Sequence, residues 1–318
     1  MIRALFLASP TQFAAAVLDG WIQAGNGVAG VWCSGGGSTG PNRAGLSGKL
    51  FPRSDFHGLL SRHGIEKEHI TQLTDWSERI EETRALKPDV IISTMFMKRI
   101  PVGVLDAFPG RVFNLHPALL PHYRGPAPIL GMLEDGTADQ YGGVTLHLVS
   151  EGFDEGPIVA RQPCPRSLAR DEFEWRLQIA DAAASLASVK IPAYMRGERD
   201  AEPQPAGSGS YRKLASHEAH LGPFLTLAAL ESRLRNFGAH HVHRWVSDSG
   251  RTTAVTGLSA VLGGHAHQPD RRGLFEIDVD LADCRVRLRR RTAVFQISRN
   301  IARIMALLRA SHRSAWFL

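Results

Sequence analysis

The chain has 318 residues, of which 43% are hydrophobic and 21% are charged, a composition typical of an ordinary globular protein. This length exceeds what a single hydrophobic core usually supports, so we predict two domains. The three cysteines are far apart, which excludes a disulfide framework and favours the reducing cytoplasm. The sequence has no run of about 18 apolar residues, so no membrane span is predicted.

The first 115 residues alternate short apolar runs with helical patterns. The predicted strands lie at residues 4–8, 28–33, 70–73, 90–94 and 112–115. The predicted helices lie at residues 11–24, near 55–63, and between the third and fourth strands. This alternation is typical of an α/β fold with a parallel sheet whose faces are covered by helices.

Downstream, two strands are predicted at 141–149 and 158–161, followed by a long helix at 171–195. Residues 198–210 are polar and rich in Pro, Gly and Ser, so we predict a linker there. It would separate a first domain, 1–197, from a smaller β-rich α+β domain, 211–318.

The C-terminal domain is predicted to contain a helix, three strands and a terminal helix. These elements lie near 227–236, 254–262, 274–278, 285–291 and 298–308. In the strand at 285–291, arginines alternate with apolar residues, so we expect a half-buried strand with its arginines in water. From Cys284 to Leu318 there are nine arginines and no acidic residue. This excess fits either contacts with RNA or anionic phosphates, or a solvated arginine face.

Two polar residues lie at the end of the short apolar run at 112–115, and an acidic turn follows 38 residues after the second of them. Asn114 and His116 lie at the end of a strand, where their spacing puts both side chains on one face. In open α/β sheets, ligands bind at this edge. Asn114 is suited to stabilise an oxyanion, and His116 to add a donor or carry a proton. Asp154 is suited to orient the histidine or accept a proton. From these residues alone, however, Asn-x-His at a strand end is a weak signal, and a structural capping role is the favoured interpretation.

The wider segment resembles the formyltransferases that use 10-formyltetrahydrofolate. The resemblance includes Asn114, His116 and Asp154, and it covers about residues 1–195. Its further motifs are Leu-Leu-Pro at 119–121, Tyr-Arg-Gly at 123–125, Gly-Val-Thr at 143–145 and Asp-Glu-Gly at 154–156. It implies a Rossmann-like parallel sheet and transfer of a formyl group to a primary amine, without a metal or an enzyme nucleophile.

The same resemblance implies roles for particular residues. The catalytic residues would be Asn114, His116 and Asp154. The pterin of the folate would be lined by Met95, Phe96, Ile100, Leu120 and Gly152. For residues 95–97, plain core packing is the alternative. One position departs from the family, because Ala118 stands where the family loop usually begins with serine.

The amine acceptor is less well defined. Residues 40–50 resemble the tRNA-engaging loop of methionyl-tRNA formyltransferases, but only Arg43 and Lys49 are basic within that loop. Each lost phosphate contact weakens tRNA binding. Methionyl-tRNA, an amino sugar nucleotide and another small amine therefore stay open as acceptors. A catalytically idle folate- or RNA-binding module is the alternative of another class.

Two further patterns carry weaker signals. Residues 35–40 satisfy the glycine spacing of a dinucleotide-binding loop, but they follow the second strand and precede no clear helix, so we do not predict NAD binding. The histidines at 240, 241, 243, 265 and 267 lack cysteine or carboxylate partners at ligand spacing, so we predict surface histidines rather than a metal site.

Overall fold

The computed structural model describes residues 1–34, 55–65, 70–76, 79–205, 207–213, 220–264 and 268–314. The predicted glycine-rich loop at 35–40, the basic loop at 40–50, His265 and His267 lie outside these ranges. The chain divides into two compact units. Unit 1 comprises Met1–Pro128, Gln140–Pro165 and Arg176–Arg212. Unit 2 comprises Ile129–Asp139, Arg166–Trp175 and Lys213–Leu318.

Unit 1 is built on a seven-stranded sheet with the order β3-β2-β1-β4-β5-β6-β7. The strands are β1 Arg3–Ala8, β2 Gly27–Cys33, β3 Ile70–Gln72, β4 Val90–Thr94, β5 Val112–His116, β6 Gly143–Leu148 and β7 Ile158–Pro163. Strands β1 to β5 pair in parallel, whereas β6 and β7 are antiparallel. The predicted α/β fold is confirmed, with two antiparallel strands added at one edge.

The helices predicted at 11–24, near 55–63, between the third and fourth strands and at 171–195 each have a counterpart close to that position in the structure. Three further helices, at Val102–Ala107, Pro128–Asp135 and Ala138–Tyr141, have no predicted counterpart. The described helices up to residue 195 are α1 Gln12–Gln23, α2 Phe56–Arg62, α3 Arg79–Ala85, α4 Val102–Ala107, α5 Pro128–Asp135, α6 Ala138–Tyr141, α7 Glu172–Ser185 and α8 Ile191–Met195. The hydroxyl of Thr11 accepts a hydrogen bond from Ala14 N at 3.2 Å and so begins α1. The predicted long helix at 171–195 is continuous, with a π-helical turn at Leu186–Lys190 between α7 and α8.

Strand β1 lies in the middle of the sheet and is apolar because both of its faces are covered. The ring of Phe6 packs edge-on against Trp21 of α1, with ring centroids 6.4 Å apart. Leu5 and Leu7 belong to a buried cluster on the other face that includes Val104 of α4. Side chains alternate along a strand, so a run with no polar residue requires a layer of helix on each side.

Unit 2 contains a six-stranded sheet with the order β11-β12-β13-β10-β9-β8. Its strands are β8 His220–Leu221, β9 His243–Val246, β10 Thr252–Gly264, β11 Arg271–Arg272, β12 Glu276–Asp280 and β13 Cys284–Arg290, and its helices include α9 Leu227–Phe237 and α10 Ala293–Ser314. Trp245 and Leu230 lie in its apolar core. The six-stranded sheet confirms the smaller β-rich part of the predicted fold.

In the described ranges, no helix is both long and apolar enough to cross a membrane.

The arginines of β13 differ from the prediction. Arg285 is buried, and its Nη1 donates to Asp280 Oδ1 at 2.7 Å. Arg287 Nε donates to Asp278 Oδ1 at 2.6 Å. The reason is the register, because β12 and β13 are antiparallel and place these residues directly opposite one another. The expectation that these arginines lie in water is therefore wrong for Arg285, whose charge is compensated within the sheet.

The described residues of the predicted linker, 198–205 and 207–210, belong to unit 1. Glu202 exchanges two backbone hydrogen bonds with Ile158 of β7, at 2.7 and 2.9 Å. The boundary between two independently folding domains stays a prediction.

The histidines of unit 2 are more deeply buried than predicted. His243 is buried, and His241 Nδ1 lies 2.8 Å from Glu172 Oε2. Burial, assisted by the nearby His241 ring, lowers the pKa of His243 to about 3. The prediction of surface histidines is therefore wrong for His243, whose ring is kept neutral by desolvation. In the described part of the chain, no group of three or more His, Cys, Asp or Glu side chains is arranged to hold a metal ion.

We expect His243 to make unit 2 acid-sensitive. Its pKa is lower in the folded than in the unfolded state, so its contribution to stability is complete above pH 6.5 and is lost as pH falls towards 3. The free energy of unfolding should fall by roughly 1.4 kcal/mol per pH unit in this window because of His243 alone. Denaturant unfolding of the wild type and of His243→Phe between pH 6.5 and 4.5 measures this. If the free energy of unfolding falls equally steeply with decreasing pH in the two proteins, the prediction is contradicted.

Candidate active site

Strand β5 carries Asn114 and His116 side by side at its carboxyl end. In the antiparallel pairing of β5 with β6, Asn114 lies opposite His147 and His116 lies opposite Thr145. His116 is buried, whereas Asn114 is partly exposed. The edge of the sheet therefore presents one face on which four polar side chains from two strands meet.

A tight turn after β6 brings Asp154 to this face. Asp154 has a φ of 57°, and a Cβ atom at Gly156 would lie 1.8 Å from the carbonyl oxygen of Leu148. Only glycine fits at position 156, so the turn can fold closely against the end of β6. Asp154 Oδ1 accepts from Asn114 Nδ2 at 3.1 Å, and Oδ2 lies 3.5 Å from His116 Nδ1. The structure thus brings the three residues predicted as catalytic together.

The loop after β5 completes the group from the other side. Gly125 has a φ of 96°, and its N–H donates to Asp154 Oδ2 at 2.8 Å. The backbone oxygen of Tyr123 lies 2.7 Å from His116 Nε2. A carbonyl oxygen only accepts, so Nε2 carries the proton and Nδ1 is the atom that faces Asp154.

His147 is a member of the group that the sequence interpretation missed. Its Nδ1 donates to the Leu148 carbonyl at 2.8 Å, which leaves Nε2 as an acceptor in the neutral ring. Nε2 lies 3.1 Å from Asn114 Nδ2 and 3.5 Å from Asp154 Oδ1. A histidine inside a mostly apolar strand could have drawn attention to this position in the sequence. Only the pairing of β5 with β6, however, shows that this histidine faces Asn114.

The amide of Asn114 is oriented by these two acceptors. One N–H points to Asp154 and the other to His147, so a flipped amide would place its oxygen against two acceptors. The expected oxyanion donor is therefore already hydrogen-bonded within the protein. A ligand oxygen would have to replace one of these acceptors.

The charges of the group are set by burial and by its neighbours. Burial alone would raise the pKa of Asp154, but the neighbouring His116 ring and the hydrogen bond from Gly125 N oppose this and hold that pKa well below its ordinary value. Burial lowers the pKa of His116, and the nearby Asp154 charge opposes this shift without cancelling it. Asp154 is therefore an anion at neutral pH beside a histidine that is mainly neutral.

Ala118, the departure from the family pattern, is fully buried. The start of its loop is held by another hydroxyl. Thr145 Oγ1 donates to the Ala118 carbonyl at 2.7 Å and accepts from Leu120 N at 3.0 Å. The loop conformation is therefore fixed although residue 118 offers no hydroxyl.

The residues predicted to line the pterin occupy two kinds of environment. Ile100 and Leu120 are buried, and Phe96 packs edge-on against Trp76 with ring centroids 6.2 Å apart. Met95, which follows β4 with a φ of 52°, and Gly152, in the turn before Asp154, are partly exposed. Contact of these residues with a folate stays a prediction.

Comparison with known proteins identifies the family. A family model described as formyl transferase matches residues 6–185, more than half of the chain. A methionyl-tRNA formyltransferase of Halorhodospira halophila is 31% identical over 234 residues, which span 73% of this chain and 72% of that protein. A second, of Chloroflexus aggregans, is 32% identical over 223 residues, which span 68% of this chain and 67% of that protein.

A solved structure shares the fold. It is an N-formyltransferase from Helicobacter canadensis in complex with folinic acid and dTDP-3-aminofucose, with a TM-score of 0.60 and 16% identity over 92% of this chain and 100% of that chain. The match to the family model and the sequence relatives together show that this chain belongs to the formyl transferase family and is an enzyme that transfers a formyl group.

Proposed function

We propose that the enzyme transfers the formyl group of 10-formyltetrahydrofolate to the primary amine of methionyl-tRNA. The observation that carries the reaction is the grouping of Asn114, His116 and Asp154 at the end of β5, where Asn114 Nδ2 donates to Asp154 and His116 Nδ1 lies 3.5 Å from its carboxylate. The folate donor rests on membership of the formyl transferase family and on the motifs of residues 114–156. The acceptor is supported by the sequence relatives, which are methionyl-tRNA formyltransferases.

The chemistry assigned to the site is acyl transfer without a covalent enzyme intermediate. The amine nitrogen attacks the formyl carbon, and the carbonyl electrons move to the oxygen to give an oxyanion. Asn114 donates an N–H to this oxyanion by exchanging one of its two acceptors for it. Asp154 accepts the proton released from the amine, because its carboxylate is ionised at neutral pH. The proton then reaches N10 of the folate as the C–N10 bond breaks, which gives the N-formyl product and tetrahydrofolate.

His116 has a positioning role in this scheme. Its Nε2–H is committed to the Tyr123 carbonyl, so the ring is fixed with Nδ1 towards Asp154. Much of the remaining rate would come from holding donor and amine together.

We expect purified enzyme with 10-formyltetrahydrofolate to release tetrahydrofolate when methionyl-tRNA is added. Parallel reactions contain free methionine, deacylated tRNA or an amino sugar nucleotide as acceptor. Turnover with the amino sugar nucleotide and none with methionyl-tRNA would refute the acceptor part of the proposal. Absence of turnover with every acceptor would refute the reaction and favour a folate- or RNA-binding module.

Replacing the carboxylate of Asp154 by an amide should remove the proton acceptor with little change in shape. We expect Asp154→Asn to lower kcat by at least about a hundredfold. Steady-state release of tetrahydrofolate measures this, with thermal unfolding as a check of the fold. Asp106→Asn, which removes an exposed carboxylate on α4 of the same unit, is the matched control. Rates of Asp154→Asn close to wild type would remove Asp154 from the mechanism.

A further inference from the structure

Residues 199–205 and 207–212 make contacts with the loops that form the candidate site. The start of this stretch is paired with β7 through Glu202. Near its end, Ser210 Oγ accepts from Tyr123 N at 2.9 Å, and Ser210 O accepts from Arg124 N at 2.8 Å. Arg212 N then donates to Arg124 O at 2.7 Å. The backbone of the Tyr-Arg-Gly loop is thus held by a segment more than 80 residues downstream.

The side chain of Gln204 connects two parts of the site. Its Nε2 donates to the carbonyl oxygens of Asp154, at 2.8 Å, and Gly156, at 2.9 Å. Its Oε1 accepts from Arg124 Nη2 at 2.7 Å and from Arg124 Nε at 3.2 Å. Only a side-chain amide of this length offers two donors to one loop and an acceptor to the other.

We propose that Gln204 is a positioning residue for formyl transfer. It acts through two contacts already described, because Gly125 N donates to Asp154 and the Tyr123 carbonyl accepts from His116. By tying Arg124, which lies between those two residues, to the Asp154 turn, Gln204 fixes the distance between the carboxylate and the imidazole. This inference rests on the proposed function in that Asp154 and His116 serve the reaction.

The conformation of the turn explains why such a tie is needed. Asp154 has a positive φ, a conformation that costs free energy for a residue with a side chain. The amide of Gln204 holds the carbonyl oxygens on both sides of Glu155, so it stabilises the turn in the orientation that aims the Asp154 carboxylate at β5. A displacement of about 1 Å in a reacting group can lower a rate about a hundredfold.

The test uses Gln204→Glu and Gln204→Met in the full-length enzyme. Gln204→Glu places carboxylate oxygens against two carbonyl oxygens, and Gln204→Met removes all four hydrogen bonds at similar length. We expect kcat to fall about 10- to 100-fold in both, with KM for the folate donor changed less than about threefold. The control is Gln162→Glu, an exposed glutamine on β7.

A double variant separates positioning from general destabilisation. If Gln204 acts through Asp154, then Gln204→Met should add less than about a twofold loss of kcat in the Asp154→Asn background. A full additional loss, or single variants with wild-type kcat, would overturn the inference. An active Asp154→Asn single variant would instead refute the proposed function, so the two failures are distinguishable.

A separate observation concerns the terminal helix α10 in unit 2. Val294, Ile297, Ile301 and Ile304 are between 39% and 76% exposed. They follow a spacing of three and four residues, which continues to Leu308 and places them on one stripe of the helix. The opposite side faces the protein, where Ala306 is buried. The helix therefore presents an apolar stripe away from the core of its own unit.

The arginines of this helix lie off the stripe. Arg309 Nη2 lies 3.3 Å from Glu174 Oε2, and the guanidinium of Arg303 lies over the ring of Phe173 at 4.9 Å. The positions that flank the stripe are uncharged. These flanking residues are Ala293, Ser298, Asn300, Met305 and Leu307. Helices that bind anionic lipid carry basic residues on these flanks, whereas a self-pairing seam requires flanks without like charges.

We infer that α10 pairs with α10 of a second copy of this chain around a two-fold axis. The stripe occupies the first and fourth positions of successive heptads, the spacing of a helix–helix seam. A two-fold interface needs a patch that is complementary to itself, and an uncharged apolar stripe meets that requirement.

Light scattering after size exclusion tests this inference. We expect the wild type at tens of micromolar to have twice the chain mass of 34.8 kDa. Ile297→Glu and Ile301→Glu should be monomeric and folded, because both side chains are exposed in one chain. Leu168→Glu, at an exposed leucine elsewhere in unit 2, should stay dimeric. A monomeric wild type would overturn the inference, and its co-sedimentation with phosphatidylserine vesicles would assign the stripe to a lipid surface instead.

Discussion

The buried carboxylate of Asp154 is the constraint around which the site is organised. An ionised group is costly to bury unless hydrogen bonds and opposing charges compensate for its lost hydration. Here the compensation comes from two separate segments, the N–H of Gly125 in the loop after β5 and the amide of Asn114 on β5. Each of these groups donates a hydrogen bond to the carboxylate and so replaces part of its lost hydration. The hydrogen bonds that orient the carboxylate are therefore also the ones that make the buried charge tolerable.

Much of the fold was predictable because it depends on local pattern. Apolar runs bounded by turns indicated the strands of unit 1, and the polar residues at the end of β5 indicated the ligand-binding edge. His147 and Gln204 were not predictable in the same way. His147 reaches Asn114 only through the register of β5 and β6, and Gln204 reaches Asp154 from 50 residues downstream. Such contacts depend on tertiary packing, which periodicity along the chain does not encode.

The basic C-terminal region shows how a count of charges can mislead. The window that begins at Cys284 contains arginines and no acid, but the strand before it supplies Asp278 and Asp280 directly opposite Arg287 and Arg285. Two of the nine arginines are therefore neutralised within the sheet. A surface for RNA or phosphate in unit 2 would have to use the other arginines. The local charge density depends on which residues the sheet pairs, so it cannot be counted from one stretch of the sequence.

The antiparallel pairing of β5 with β6 has a consequence for how this site tolerates change in chain length. The ladder between the two strands, rather than the connection between them, sets Asn114 opposite His147 and His116 opposite Thr145. Residues inserted into the segment 129–139, which belongs to unit 2, leave that ladder unaltered. A single residue inserted within β6 turns its polar side chains to the other face of the sheet and brings leucine against the amide. The connection between the two strands is thus free to diverge in length, while the six residues of β6 are not.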